Sequence, residues 1–461
     1  MSQKPVPTVR PRVSTGVPWW VWLTLVVIGG AILLKIVTNA VPDDPEALFQ
    51  DALKAADEKK VEPIMLAQEK LQAYPEYADQ LKLIEGILFL GRQRPLKAIK
   101  PLEDASQNPK LRGKALFYLA NARAQAEDPR GAIETFETIL AEDADAHQAR
   151  ESLAALSNQR LAYDVALGHL AALIEKKHNP AKAYQARAEI RMELGKFAEA
   201  AEDFEASIKE APNDPLNSQK AEKLVQCYFE LNQPEKAVAL EELIDRPAMK
   251  SILKAYDQLA RDDLAGALAT VENIRREAPT DERAAILLGK ITILQNKPDK
   301  LQDALINLNG VIYYSRNLRI YRAAADVARA AGDEQLAGLI QQNIDLLEPM
   351  EKDYYERLNR IAKGPDNADE LFQLAELAGD VGKPEIGMKI YESIKLYFPE
   401  RSAESDQKRD LLFQMRMQLV KTGDAPRFSM ERQGPPDLLN PPPPPGLKSA
   451  DPPASDPPGQ P

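Results

Sequence analysis

A 34-residue spacing of small side chains constrains this sequence more than any other feature. In windows opening at residues 79, 113, 147 and 181, position 8 holds Gly86, Ala120, Ala154 and Ala188, and position 20 holds Ala98, Ala132, Ala166 and Ala200. Position 24 is Leu102, Phe136, Leu170 and Phe204, and the last three windows add Leu140, Ile174 and Ile208 at position 28. Lys182–Pro212 thus reads as two short amphipathic helices joined by a turn at Gly195–Phe197. Antiparallel helices approach closely only where side chains are small, so positions 8 and 20 mark a crossing point in every unit. Pro95, Pro129, Pro234, Pro298 and Pro384 each fall at position 17, where a missing N–H costs little because the first helical turn leaves it unpaired.

Composition agrees with the period. The chain is rich in Ala, Leu, Glu and Lys and only 6% aromatic, which favours helix, and the expected fold class is all-α. Further units are expected near 218 (Val225, Tyr228, Ala237), 248 (Ala255, Ala267, Val271), 282 (Gly289, Ala304, Leu308), 318 (Ala325, Gly332, Ala337, with Pro349 closing) and 368 (Leu371, Ala375, Gly382, Tyr391). Lys352–Lys363 reads as an extra helix, Pro63 as a disturbance where the second helix of the first unit should begin, and Pro101 as a kink.

This pattern resembles the tetratricopeptide repeat, a helix-turn-helix with small residues at 8 and 20, a bulky one at 24 and proline near 32. The resemblance covers roughly residues 45–400 and implies an α-solenoid, a right-handed superhelix of helical hairpins. The segments are then a basic tail at 1–17, a transmembrane signal-anchor helix at 18–41, a solenoid of about ten units at 42–400, a capping helix at 401–421 and a disordered Pro-rich tail at 422–461.

The ends carry their own signals. Trp19–Val41 is 23 residues interrupted only by Lys35, long enough at ~1.5 Å per residue to cross a ~30 Å hydrocarbon layer. Lys4, Arg10 and Arg12 precede it and Asp43, Asp44 and Glu46 follow, which by the positive-inside rule places the N-terminus in the cytoplasm and the solenoid outside it, in the periplasm. A cleaved signal peptide ending near Thr38–Ala40 is the alternative. Gly434–Pro461 holds 12 prolines in 28 residues and reads as extended polyproline.

Chemistry is harder to find. The chain carries a net charge of −11, which disfavours nucleic acid as a partner. His147, His169 and His178 form no metal-ligand motif, Cys227 stands alone, and no phosphate loop or nucleophile elbow occurs, so no catalytic residue, cofactor or metal is expected. The resemblance directs attention to the concave face, lined in that family by positions 2, 5, 9, 12 and 13 of first helices. Those positions give Phe117, Asn121, Glu151, Lys182, Glu189 and Glu193. The chaperone-binding carboxylate clamp is only partly matched, with Asn121 and Lys182 in place but Phe117, Ser152 and Ala186 substituting elsewhere.

Downstream, Met249, Ile252, Tyr256 and Leu259 make an apolar shelf beside Arg283, Ile286, Lys290, Arg319, Arg322 and Arg329. That combination suits a protein or peptide segment with hydrophobic anchors and carboxylates, since guanidinium forks pair with carboxylates. The expected function is a non-catalytic, single-pass, membrane-anchored scaffold or adaptor in envelope complex assembly. An accessory subunit presenting substrate to an enzyme, or an import-receptor-like protein with a cytosolic solenoid, are the alternatives.

Overall fold

The computed structural model describes residues 44–312, 316–365 and 367–422. The basic tail, the apolar stretch Trp19–Val41 and the Pro-rich end lie outside these residues. Among the described residues no helix is long and apolar enough to cross a membrane.

Every regular element described is helical, and the chain divides by its contacts into residues 1–135 and residues 136–461. The first unit holds α1 (Pro45–Asp57) with α2 (Val61–Leu71), α3 (Ala78–Gly91) with α4 (Pro95–Ala105), α5 (Arg112–Gln125) and the start of α6 (Pro129–Glu142). In it Gly86 meets the side chain of Leu102 so closely that an added Cβ would lie 2.4 Å from Leu102 Cγ. The small residue at position 8 thus receives the bulky one at position 24. Pro63 sits in the first turn of α2, and α4 runs on through Pro101.

In the second unit hairpins follow in order: α7 (His147–Gln159) with α8 (Tyr163–Glu175), α9 (Pro180–Glu193) with α10 (Phe197–Glu210), and α11 (Asn217–Glu230) with the short α12 (Pro234–Val238). Then come α13 (Pro247–Ala260) with α14 (Leu264–Glu277), α15 (Glu282–Gln295) with α16 (Pro298–Ile312), and α17 (Leu318–Ala330) with α18 (Glu334–Ile361). Last are α19 (Ala368–Asp380), α20 (Pro384–Tyr397) and α21 (Ser402–Thr422). The prolines at position 17 start α4, α6, α12, α16 and α20. Ala98, Ala120, Ala132, Ala166, Ala188 and Ala200 are fully buried, as close helix crossing demands.

A second mark of the repeat is backbone conformation. Lys59, Gln93, Glu127, Leu161 and Gly195 all have left-handed φ, at a spacing of 34 residues, in the turn between the two helices of a hairpin. Only the last is glycine, so the turn geometry is imposed by helix packing against the local preference of four L-residues.

One expectation is corrected. Lys352–Lys363 does not form a separate helix and Pro349 does not close a unit, because the 28-residue α18 runs unbroken through Pro349. Its far half is held by distant parts of the same unit, which explains why the chain tolerates a proline there. A first core runs from Ala188 on α9 to Leu347 on α18. A second joins Ala154–Leu194 to Tyr354–Leu412, so α7–α9 share an apolar core with the end of α18 and with α19, α20 and α21.

Polar contacts close the same junction. The Asp164 N–H donates to Ala362 O at 3.0 Å and Asn359 Nδ2 to Leu194 O at 3.2 Å. Lys389 Nζ reaches Glu193 Oε2 at 2.6 Å, Asn158 Oδ1 at 3.1 Å and Tyr163 Oη at 3.4 Å, and Tyr163 Oη itself donates to Glu193 at 2.7 Å. Arg316 bonds the carbonyl of Asp380 at 3.2 Å. At Gly195 an added Cβ would lie 2.7 Å from the Tyr355 ring, whereas Gly332, with the same φ of 74°, has nothing within 4 Å.

That pair of glycines gives a controlled test. Gly332→Ala pays only the left-handed backbone cost, roughly 1–2 kcal/mol. Gly195→Ala pays that and displaces Tyr355, so it is expected to lower the urea midpoint of the second unit further than Gly332→Ala does, measured by circular dichroism.

Candidate functional site

The inner register of first helices that the repeat phase picks out becomes, in the second unit, the wall of two adjoining cavities. The larger, about 630 Å³, is lined by Gln219, Glu222, Gln226, Phe229 and Glu230 of α11, by Met249 of α13, and by Asp281, Arg283, Asn317 and Arg319. The smaller, about 400 Å³, shares Gln226, Glu230, Glu282 and Asn317 with it and is closed by Tyr354 and Tyr355 of α18 and by Gly382 and Lys383. Both volumes lie in the range of small-ligand or side-chain pockets.

The positively charged members of the expected site fall into two groups. Arg283 lies beside Asp281, with Nη2 to Oδ2 at 2.8 Å, and touches Met249 Sδ at 3.5 Å. Arg319 pairs with Glu230 at 3.3 Å and lies over the Phe229 ring, 5.7 Å from its centroid. Those two arginines line the larger cavity. Arg322 and Arg329 line neither, for they are exposed and turned toward α18, Arg322 to Glu348 at 2.9 Å and Arg329 to Gln341 at 2.9 Å. Lys290 is exposed, with its ammonium 5.7 Å from the centre of the Tyr256 ring. Desolvation first, and then the charge of Arg319, lower its pKa.

The apolar shelf is corrected. Met249, Ile252, Tyr256 and Ile286 are buried in the first core, and Leu259 is partly buried against it. Apolar residues on the inner register of α13 are covered by the following first helix, so they hold repeats together, and of the shelf only Met249 borders the cavity. The aromatic side chain that borders the cavity is Phe229, itself buried in the same core. Sequence reasoning passed over it, yet in the window opening at 218 Gln219, Glu222, Gln226, Phe229 and Glu230 occupy positions 2, 5, 9, 12 and 13. Applying the inner-face rule to that unit would have found them. Tyr354, Tyr355 and Lys383 had no such signal.

Upstream inner-face residues are engaged within the chain. Lys182 pairs with Glu151 at 2.7 Å, Asn121 Nδ2 donates to Phe117 O at 2.8 Å, and Glu193 belongs to the Lys389 junction. His147 and His178 stack at 4.6 Å, and no cluster of metal-ligating side chains occurs among the described residues. Cys227 is fully buried, and burial pushes its thiol pKa up to about 12, so the thiolate needed for reactivity is suppressed at neutral pH.

Asp281 joins the site to the stability of α15. It caps the helix by accepting from the N–H groups of Arg283 at 2.9 Å and Ala284 at 3.1 Å. Desolvation would raise its pKa, but the hydrogen bond and charge of Arg283 with the two amides outweigh it and hold the value below 3.8. A depressed carboxylate stabilises the fold fully above its unfolded value and loses that contribution as pH falls through the lowered folded value. Asp281→Ala is therefore expected to cost about 1 kcal/mol at pH 7 through the lost cap, a difference from wild type that shrinks in urea melts repeated at successively lower pH below the ordinary carboxylate value.

The family comparison agrees with the local architecture at one unit. Residues 181–214 match the family model for the tetratricopeptide repeat. No curated relative matches the sequence. Among solved structures, one from a functional characterization of Pseudomonas aeruginosa pilF is 18% identical with a TM-score of 0.35, covering 45% of this chain and 96% of that one. A tetratricopeptide repeat protein from Parabacteroides merdae is 19% identical with a TM-score of 0.33, covering 54% and 98%. The Naa15/Naa10 complex bound to HypK-THB is 12% identical with a TM-score of 0.33, covering 79% and 73%. With the 34-residue period, the buried small residues and the match at 181–214, this chain is a helical repeat protein that contains the tetratricopeptide repeat.

Proposed function

We propose that the chain is a membrane-tethered scaffold that holds a partner protein by an extended segment lying along the inner face of its second unit, between Gln219 and Arg319. The observation that carries this reading is the cavity of about 630 Å³ in which Phe229 and Met249 offer an apolar floor and Arg283 and Arg319 stand at the edge. Phe229 supplies a hydrophobic seat, and the two guanidinium groups suit a carboxylate on the bound segment. Arg319 must exchange Glu230 for its ligand, which makes binding sensitive to ionic strength.

Catalysis has no part in this reading, and no cofactor is needed. The apolar length of Trp19–Val41 and the basic residues before it support a single anchor with the repeats on the extracytoplasmic side, in the service of envelope complex assembly.

A photo-crosslinking amino acid placed at the exposed Gln226 of the full chain is expected to capture a discrete partner in cells. Reversing Arg283 and Arg319 together to glutamate should remove that product, while Arg322→Glu, outside the cavity, should leave it. Persistence of the product in the double variant would refute the reading.

A further inference from the structure

We propose that the larger cavity is occupied, when no partner is bound, by the protein's own C-terminal tail, with Asp437, Leu438 and Leu439 as the docking segment. The tail is then an internal competitor that a partner must displace. This rests on the reading of the inner face as a peptide site.

The path of the chain favours this occupant. α21 turns back along α20: Ser405 Oγ donates to Tyr391 O at 2.6 Å, and further along Leu412 lies against Gly387, where an added Cβ would meet Leu412 Cδ2 at 2.9 Å. The chain therefore leaves α21 on the side where α20 begins. Glu385 and Ile386, in the first turn of α20, line the smaller cavity, which shares Gln226, Glu230, Glu282 and Asn317 with the larger. From Thr422 to Asp437 the sequence can reach up to ~50 Å at ~3.3 Å per residue, more than twice the ~21 Å length of α20.

The segment is chosen by its chemistry. After Thr422 the carboxylates are Asp424, Glu431, Asp437, Asp451 and Asp456. Glu431 is followed by Arg432, Asp424 stands between Lys421 and Arg427, and Asp451 and Asp456 stand among prolines and small residues. Asp437 alone is followed by two leucines, with no base from Gln433 to Pro441 to oppose Arg283 and Arg319. Pro435 and Pro436 before it and Pro441 after Asn440 disfavour helix and bias their neighbours to extended backbone, the form that lies along a groove.

The receiving side matches an extended segment. Gln219 and Gln226 of α11 line the cavity and are exposed, and their side-chain amides make no hydrogen bond among the described residues. Two helical turns apart, they are separated by ~10.5 Å along the axis, the rise of about three extended residues, so both can bond the backbone of one segment. Phe229 and Met249 border the same cavity beside the leucines, and Arg319, which holds Glu230 at 3.3 Å, can turn to Asp437.

The test uses a fluorescent peptide of residues 433–446 and the full chain. The wild-type tail competes at a roughly millimolar effective concentration, so the peptide should bind the wild-type chain weakly. A chain carrying Asp437→Lys, Leu438→Ser and Leu439→Ser should bind it at least tenfold more tightly, and adding Arg283→Glu and Arg319→Glu should abolish that gain. A photo-crosslinking amino acid at Gln226 of the purified wild-type chain should join the tail peptide containing Leu438, with no mixed product when isotopically light and heavy chains are combined. Equal binding to both chains, binding to neither, or a light–heavy product from a second copy would overturn the tail contact. Partner capture in cells is scored separately, so the reading of the inner face survives those outcomes and fails only if capture persists in the Arg283 and Arg319 double variant.

Discussion

The second unit depends on a contact between segments nearly two hundred residues apart in sequence. A helical hairpin cannot bury its own apolar face, so an array must either cap its ends with polar helices or find another surface for them. Here the end of α18 and the hairpin of α19 and α20 bury Tyr354, Leu358, Leu371 and Leu374 against the core side of α7–α9. Lys389 seals the junction, its ammonium shared by Glu193, Asn158 and Tyr163 in a partly buried setting where charge-assisted hydrogen bonds are strong.

The same contact creates the candidate site. Without α18 and the turn at Gly382 and Lys383, the inner register of α9, α11 and α15 would be an open groove. With them it becomes two adjoining cavities that share Gln226, Glu230, Glu282 and Asn317, the larger lined also by Arg246, Arg283 and Arg319. The arrangement is internally neutralised to a large degree, because nearly every charge at the site has a partner within the chain. A ligand therefore competes with existing pairs, which favours specificity over raw affinity.

Much of the fold was legible in the sequence. Positions 8, 20 and 24 predict buried packing partners, and Gly86 against Leu102 shows why a side chain at position 8 has to be small. Proline at position 17 marks helix starts because its cost vanishes there, while Pro349 misled because tertiary contacts on the far half of α18 override its local preference. The 34-residue phase reports only contacts between neighbours. It therefore carries no information about Tyr354 meeting the α7–α9 core, nor about Lys383 entering the site. Periodicity also could not tell which of the buried inner-face apolar residues border a cavity, which is how Ile252 and Ile286 came to stand in for Phe229.

The most direct test of this account is zero-length carbodiimide coupling of the monomeric full chain, with peptide mapping by mass spectrometry. Lys389 Nζ and Glu193 Oε2 stand 2.6 Å apart and both side chains remain about one quarter exposed, so an isopeptide bond between them is expected as an intramolecular product. Coupling of Lys389 only to acids of its own hairpin, with Glu193 joined elsewhere or not at all, would contradict the closure on which the site depends.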